Sequence, residues 1–456
     1  MGDIFIDRVV ETKFLESLVD KNFFLVLLGR RRIGKTTLLL KTFSDAFYIF
    51  IWPNKSINWI IEKTCMEYGI PVFKTFGDLL KYLLDTGRIV IIDEFQNILN
   101  VDKSIFGEIQ KIVDTRNVKG EPLKLVASGS SHSMINKVFN NYASPLYGRR
   151  THELRLKHLP IKDLYKWTNM DMKNFIKIWS VFEGVPYYYG FIDSKKTAEK
   201  NIVDILLAEN AILQDEGNSV LSVEFGREAK TYHTLLMAIA EGKTKLNEIA
   251  SLFDNKSSTA IKYLDRLRRN FNLVVRMTPL LEKPSKYRGG IYQINDNFLR
   301  FWFRFIERNR DLIEQGRYRE IIMVFKRDFE SYIGSIFEKF ILELLEENNL
   351  LDTNYILGKQ WGRIPGTKEV YEIDILGINN DEKKILFVEC KWQDNVNAEK
   401  IAEELLEKSK YVQWYNNERK ECLVVFAKTF KKRVNEYKNR KVYCFSLKDI
   451  EKYLIT

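Results

Sequence analysis

The stretch Gly29-Arg30-Arg31-Arg32-Ile33-Gly34-Lys35-Thr36-Thr37 constrains this chain more than any other, because of what stands on either side of it. The apolar run Phe23-Phe24-Leu25-Val26-Leu27-Leu28 leads into it, and the helix-like Leu38-Leu39-Leu40-Lys41 leads away. A glycine-flanked turn between a strand and a helix lets backbone N–H groups approach a phosphate closely, at the positive end of the helix dipole. At this spacing Lys35 can reach the β- and γ-phosphates, and Thr36 can ligate Mg²⁺. The segment reads as a Walker A loop, with residues 29–37 as the cradle of a nucleotide such as ATP or ADP.

The 456 residues exceed one ordinary core and predict about two to four domains. A hydrophobic share of 45% is that of a globular protein. No run approaches the roughly 18 apolar residues of a membrane span, the start Met1-Gly2-Asp3 does not read as a signal peptide, and the expected location is cytoplasmic. Cys65, Cys390, Cys422 and Cys444 form no C-x-x-C pair, so neither a metal knuckle nor a disulfide framework is indicated. A net charge of +11 permits a polyanionic partner, but 29% charged residues also describes a heavily solvated surface.

A helical pattern with Val10, Phe14 and Leu18 in register precedes the first strand. Beyond the loop come a strand at Phe47 to Ile51, amphipathic segments near 58–68 and 76–84, and the β-branched run Ile89-Val90-Ile91-Ile92. That run ends in Asp93-Glu94, the Walker B pattern: the Asp holds the Mg²⁺ water shell and the Glu polarises the attacking water. After a helix with Ile105, Ile109 and Ile112 comes the strand Leu123 to Ala127, ending in Ser128-Gly129-Ser130-Ser131. Alternating strands and helices predict a doubly wound parallel sheet, which gathers its ligand at the carboxyl edge. Ser130 there either senses the γ-phosphate or caps the helix that follows at Met134-Ile135. Arg149 and Arg150 are either a charge aimed at the transition state or a solvated pair.

The pattern then turns helical to about residue 225, with one local signature at Glu183-Gly184-Val185-Pro186. Helices near 231–240, 246–253 and 258–270, followed by strands at 273–277 and 290–294, predict a winged helix-turn-helix. Its third helix offers Lys262, Arg266 and Arg269, and its wing Lys286 and Arg288, as phosphate contacts for a nucleic acid, DNA being favoured. The competing reading makes this unit an intramolecular clamp. Phe298 to Phe305 reads as a buried helix or docking segment.

The last part predicts a helix from Tyr332 to Glu347, strands at 370–378, 385–391, 422–427 and 442–445, and a helix near 398–411. Period-two alternation puts Glu372 and Asp374 on one face of their strand, with Tyr371, Ile373 and Ile375 on the other. Glu389 and Lys391 share a face of the next strand, and Glu338 flanks the apolar stripe of the helix. Carboxylates gathered this way need a cation, and hard oxygen donors favour Mg²⁺ or Mn²⁺.

Asp7-Arg8 with Glu11, the loop at 29–37, Asp93-Glu94-Phe95-Gln96, Gly129-Ser130-Ser131 and Pro145-Leu146-Tyr147-Gly148-Arg149-Arg150 together resemble the archaeal-type ATPases of the AAA+/STAND group over roughly residues 1–230. The resemblance implies ATP hydrolysis assisted by Lys35 and Glu94, Mg²⁺ held through Thr36 and Asp93, and a lid whose Gly184 and Pro186 approach the nucleotide. It also implies a strand lying between the Walker A and Walker B strands. Glu338, then Glu372-Ile373-Asp374, then Glu389-Cys390-Lys391, in an α–β–β–β–α–β order, resemble the PD-(D/E)XK nuclease superfamily, with Ile373 at the proline position. By that resemblance Asp374 and Glu389 bind the metal, Lys391 positions the water and Glu338 assists.

The expected fold is therefore α/β. Its parts are a P-loop core at 1–158, a helical lid at 159–228, the winged helix-turn-helix at 229–296, a helical connector at 297–327 and a restriction-endonuclease-like domain at 328–456. Two functions compete: an ATPase coupled to a metal-dependent nuclease acting on DNA, and a nucleotide-controlled DNA-binding or signalling switch whose last domain does not cut. Either permits a homo-oligomer.

Overall fold

The computed structural model describes residues 8–130, 137–225, 228–347, 350–351 and 354–455. Asp7, Ser131 and the helix start expected at Met134-Ile135 lie outside them. The chain forms two compact units. The first takes Met1–Leu159, Val185–Gly190 and Arg269–Asn272, and the second takes the remainder.

In the first unit, strands β1 (Phe23–Gly29), β2 (Phe47–Phe50), β3 (Val90–Asp93), β4 (Lys124–Gly129) and β5 (His152–Leu156) form one sheet in the order β2-β3-β4-β1-β5. Every pairing is parallel. The near-continuous apolar runs of β1 and β3 are explained by burial on both faces, as in any sheet covered by helices on each side. β4 stands between β1 and β3, so a strand does separate the two motif-bearing strands. Buried Arg8 braces the edge of the phosphate loop. Its guanidinium donates to the carbonyls of Ile33 and Lys157, each at 3.0 Å, and pairs with Glu11.

In the second unit, helices Ala229–Ala240, Leu246–Ala250 and Ser257–Asp265 precede an antiparallel hairpin of β6 (Val274–Met277) and β7 (Ile291–Ile294). A bridge between Lys245 and Ile291 adds a third extended segment to that hairpin. The aromatic stretch that follows is a buried helix. Asp296 caps it by accepting from Leu299 N–H at 2.8 Å, and Phe298, Phe301, Trp302, Phe303 and Phe305 are all buried. Its rings meet Phe325, Phe329 and Tyr332 edge-on.

Those three residues belong to a helix that runs from Tyr318 to Glu347, 30 residues in all. It starts well before the Tyr332 expected from sequence, so residue 328 lies inside a continuous helix and not at a break. Ile321, Phe325 and Phe329 extend the buried stripe of Tyr332, Ile333 and Ile336, whereas Lys326-Arg327-Asp328 interrupts the apolar pattern only on the opposite, wetter face.

The long helix packs against a mixed sheet of β8 (Ile356–Arg363), β9 (Val370–Asn379), β10 (Lys384–Lys391), β12 (Lys420–Ala427), β14 (Glu436–Tyr437) and β15 (Arg440–Ser446). Two short strands, β11 (Val396–Asn397) and β13 (Phe430–Lys432), pair separately. The sheet order is β14-β15-β12-β10-β9-β8, antiparallel among β8, β9 and β10 and parallel across β10, β12 and β15. β8 is an edge strand, and no apolar run announces it: Gly358, Lys359, Gln360 and Gly362 dilute its pattern.

The aromatic helix is closed in by one glycine. A Cβ at Gly217 would stand 2.2 Å from Cδ2 of the Trp302 indole, whose Nε1–H donates to the Gln214 carbonyl at 2.7 Å. Neither the ring nor the backbone can yield cheaply. Gly217→Ala is therefore expected to destabilise the second unit by about 2–3 kcal/mol despite the better helix propensity of alanine, as a lowered melting temperature will show.

Candidate nucleotide and metal sites

The phosphate loop turns through a left-handed backbone at Arg32 (φ 71°) and Gly34 (φ 92°), which rotates successive N–H groups into the cradle. A Cβ at Gly29 would stand 2.9 Å from Ile33 Cγ2, so the closeness of the turn requires glycine there. Arg31 is exposed, Ile33 is buried, and Thr37 is half-buried on the helix Lys35–Thr42. Lys35 folds its ammonium back over the loop, donating to the Gly29 carbonyl at 2.9 Å and the Arg30 carbonyl at 3.2 Å.

Asp93, buried at the end of β3, collects donors. Thr36 Oγ1 donates to its Oδ2 at 2.7 Å, and Glu94 N–H donates to its Oδ1 at 2.9 Å. The phenol of Tyr48, on the neighbouring β2, also donates to Oδ2, at 2.9 Å. Burial, and then the Asp93 charge, push that phenol well above its ordinary range, so it remains a donor. Sequence reasoning passed over Tyr48. Its only signal was a polar atom in an apolar strand beside the Walker B strand.

Glu94 has a left-handed φ of 50°, an unusual conformation for this residue type that strand ends at reactive sites often carry. Its carboxylate accepts from Ser130 Oγ at 2.7 Å and from Gln96 Nε2. Arg149 is taken up elsewhere: Asp114 holds its guanidinium at 2.9 and 3.0 Å. Arg150 pairs with Glu153. The Pro186 ring lies 3.8 Å from where a Gly34 Cβ would be, the Tyr187 ring stacks 3.7 Å from the Arg32 guanidinium carbon, and Arg30 faces Tyr188 at 6.0 Å. Gly184 falls in the second unit.

A cluster of acids forms in the second unit. Gly358 faces Leu376 and Gln360 faces Ile373, so Lys359 alone is opposed by both Asp374 and Ile375. This is a β-bulge, and it shifts the alternation of β9. Leu376 and Ile378, instead of the expected Ile375, continue the core face of Tyr371 and Ile373. At the bulge Asp374 accepts from Cys390 N–H at 2.8 Å. Among the described residues, Glu338, Glu372 and Asp374 each offer a carboxylate oxygen, all within 4.8 Å of one another. Lys359 Nζ reaches Glu338 at 2.7 Å and Glu372 at 2.5 Å. Glu389 is buried and held separately, by Lys391 at 2.6 Å and Lys408 at 2.9 Å.

Burial, then the charges of Glu389 and Glu338, raise Asp374 from the usual carboxylate range to about 7. Such a donor set suits a hard divalent cation, which would offset the repulsion that now favours the protonated acid.

Of the basic residues expected to meet nucleic acid, Arg269 falls in the first unit and the others in the second. Lys262, Arg269, Lys286 and Arg288 are exposed, while Arg266 is paired with Glu228 at 2.8 Å. The hairpin loop itself is docked on β8. Leu280 N–H donates to the Lys359 carbonyl at 2.9 Å, Leu281 N–H to Gln360 Oε1 at 3.2 Å, and the Tyr287 ring meets Trp361 edge-on.

A parallel sheet with this loop, and an Asp93 reached by Thr36, define an AAA-type P-loop ATPase, and a family profile described as "AAA domain" matches residues 21–164. A second, described as "Archaea bacterial proteins of unknown function", matches residues 302–401. A protein of Methanocaldococcus jannaschii, "Uncharacterized protein MJECL04", is 34% identical over 427 residues, covering 90% of this chain and 92% of that one. The chain belongs to this family of archaeal AAA-type ATPases that carry the second domain. Among solved structures, the Walker-type ATPase PABY2304 of Pyrococcus abyssi is similar at 19% identity and a TM-score of 0.48, covering 66% of this chain and 96% of its own. The Aeropyrum pernix ORC2 protein in its ADPNP-ADP complexes matches at 15% identity and 0.37, covering 70% and 96%. Among the described residues, no helix is long and apolar enough to cross a membrane.

The raised Asp374 carboxyl has a consequence for stability. An acid whose folded value lies above its ordinary 3.8 favours folding at low pH, and that contribution is lost as pH rises through about 7. Without divalent metal, Asp374→Asn is therefore expected to be more stable than wild type by about 1–2 kcal/mol near pH 8, and the gap to narrow as pH falls below 7 and to close only below the ordinary value of 3.8. Denaturant melts in chelator at both pH values measure it.

Proposed function

We propose that this protein binds and hydrolyses ATP at the 29–37 loop, and that nucleotide state governs a metal-dependent phosphodiesterase in its last domain, acting on DNA. The observation that carries the second half is the convergence of Glu338, Glu372 and Asp374 at a bulge beside Glu389 and Lys391. In the first site Lys35 binds the terminal phosphates, Thr36 and Asp93 hold Mg²⁺, and Glu94 orients water once Ser130 and Gln96 release it. In the second, Asp374 with Glu338 and Glu372 would hold Mg²⁺ or Mn²⁺. Glu389 adds charge at its border, and Lys391 is the nearby proton donor and water-positioning group. The metal would supply charge for the strained phosphate and an acidified water.

The hairpin unit is read as a winged helix, with exposed Lys262, Lys286 and Arg288 to meet phosphates and Arg266 joining them only after Glu228 lets go. Contacts of this kind give affinity without sequence choice. One observation favours the alternative, a nucleotide-controlled switch that binds DNA or a signalling partner without cutting: the hairpin loop is occupied by β8, as a clamp would be.

Plasmid cleavage with Mn²⁺ tests the proposal. Wild type is expected to nick DNA, Asp374→Ala to lose at least about 100-fold of that activity, and Lys35→Ala to lose ATP binding and any response of cleavage to ATP. Undiminished cleavage by Asp374→Ala would refute the nuclease assignment. ATPase activity and salt-sensitive DNA binding with no cleavage under any divalent metal would establish the switch instead.

A further inference from the structure

Lys359 stands on an edge strand, yet its ammonium is turned inward, onto two of the three carboxylates that converge at the bulge. It lies 2.7 Å from Glu338 and 2.5 Å from Glu372. Its side chain is largely buried between these two acids. Two of the three carboxylates a divalent cation would need are thus the ones it holds, since Glu338, Glu372 and Asp374 each bring an oxygen within 4.8 Å of the others. An ammonium and a hard metal ion cannot share the same carboxylate lone pairs at bonding distance, so they compete.

The other lysine of the region does not stand in this position. Lys391 is bound to Glu389, with Lys408 on the second oxygen of that carboxylate. Nor can β8 carry Lys359 away easily as a strand. Leu280 N–H holds the Lys359 carbonyl, Leu281 N–H holds the Gln360 side chain, and β9 pairs along its other edge. A change of Lys359 rotamer, leaving the backbone in place, frees the acids.

We infer that Lys359 is the built-in counter-ion of the Glu338–Glu372–Asp374 cluster, so that a divalent cation enters only as its ammonium withdraws and Lys359 sets the metal affinity of the site. This rests on the metal-site reading of the last domain. It assigns Lys359 a positioning role distinct from that of Lys391: Lys359 keeps the cluster neutral and shut while metal is absent. Its removal therefore tightens metal binding, whereas removal of a ligand or of a water-positioning group does not.

Mn²⁺ binding to the intact 456-residue, nucleotide-free chain, followed by titration calorimetry in mildly alkaline buffer, decides the matter without reference to cleavage. Lys359→Met and Lys359→Gln are both expected to bind Mn²⁺ at least about tenfold more tightly than wild type, and Lys359→Arg to remain near wild type. Asp374→Asn, expected to abolish the same heat, identifies the site. Using two neutral variants guards against one failing to fold. If a folded neutral variant binds Mn²⁺ no more tightly than wild type while Asp374→Asn still abolishes binding, the counter-ion role is overturned and the metal site stands. If no Asp374-dependent binding exists in any variant, the metal reading falls, and the inference with it.

Discussion

A carboxylate fixed on a strand by donors from neighbouring elements is the interaction on which both units depend. In the first unit Asp93 is held by the Thr36 hydroxyl and the Tyr48 phenol, which tie together the phosphate-loop helix, β2 and β3. In the second, Asp374 is held by Cys390 N–H, which ties β9 to β10 at the bulge. A buried acid that accepts hydrogen bonds is stable where an unpaired one is not, and its position is then known to within the length of those bonds. The two sites differ in what offsets the charge. Around Asp93 two hydroxyls and the Glu94 N–H suffice, whereas around Asp374 two further acids stand close to a lysine.

Much of the first unit was legible in the sequence because its determinants are local. Glycine spacing gives the loop, an apolar run gives each buried strand, and Asp93-Glu94 marks a strand end. Tyr48 was not legible, since nothing local distinguishes a phenol that meets Asp93 from one that fills a core. Arg149 was legible as a basic residue but not as one committed to Asp114. In the second unit the grouping of Glu338, Glu372 and Asp374 was legible from period-two alternation and the helix stripe, whereas the bulge after Asp374, which puts Leu376 and Ile378 on the core face in place of Ile375, is one that period-two reading cannot foresee. The same limit hid β8, whose edge position leaves it too polar to show a strand pattern, and the true start of the long helix, where charges on the solvent side break the visible apolar run.

The hairpin loop illustrates how a basic segment acquires a different meaning once its neighbours are known. In the sequence Lys286 and Arg288 suggest an arm extended toward a polyanion. In the fold the same loop lends one backbone N–H to the Lys359 carbonyl of β8 and another to the Gln360 side chain, and so covers part of an edge strand that would otherwise expose its ladder. Structural and recognition roles are compatible here, because the backbone makes the docking bonds and the basic side chains remain exposed.

The bulge in β9 also has a cost in regularity. One residue more on β9 than on β8 lets Ile373 and Leu376 both face the core while Asp374 escapes it. Deleting a single residue there would leave a tidier strand pair, with every ladder bond in phase. With Ile375 removed, Asp374 would still alternate away from the core beside Glu372, but the widening of β9 opposite Lys359 would be gone. The irregularity thus sets how β9 stands against Lys359, and a chain redesigned for regularity alone would remove it first.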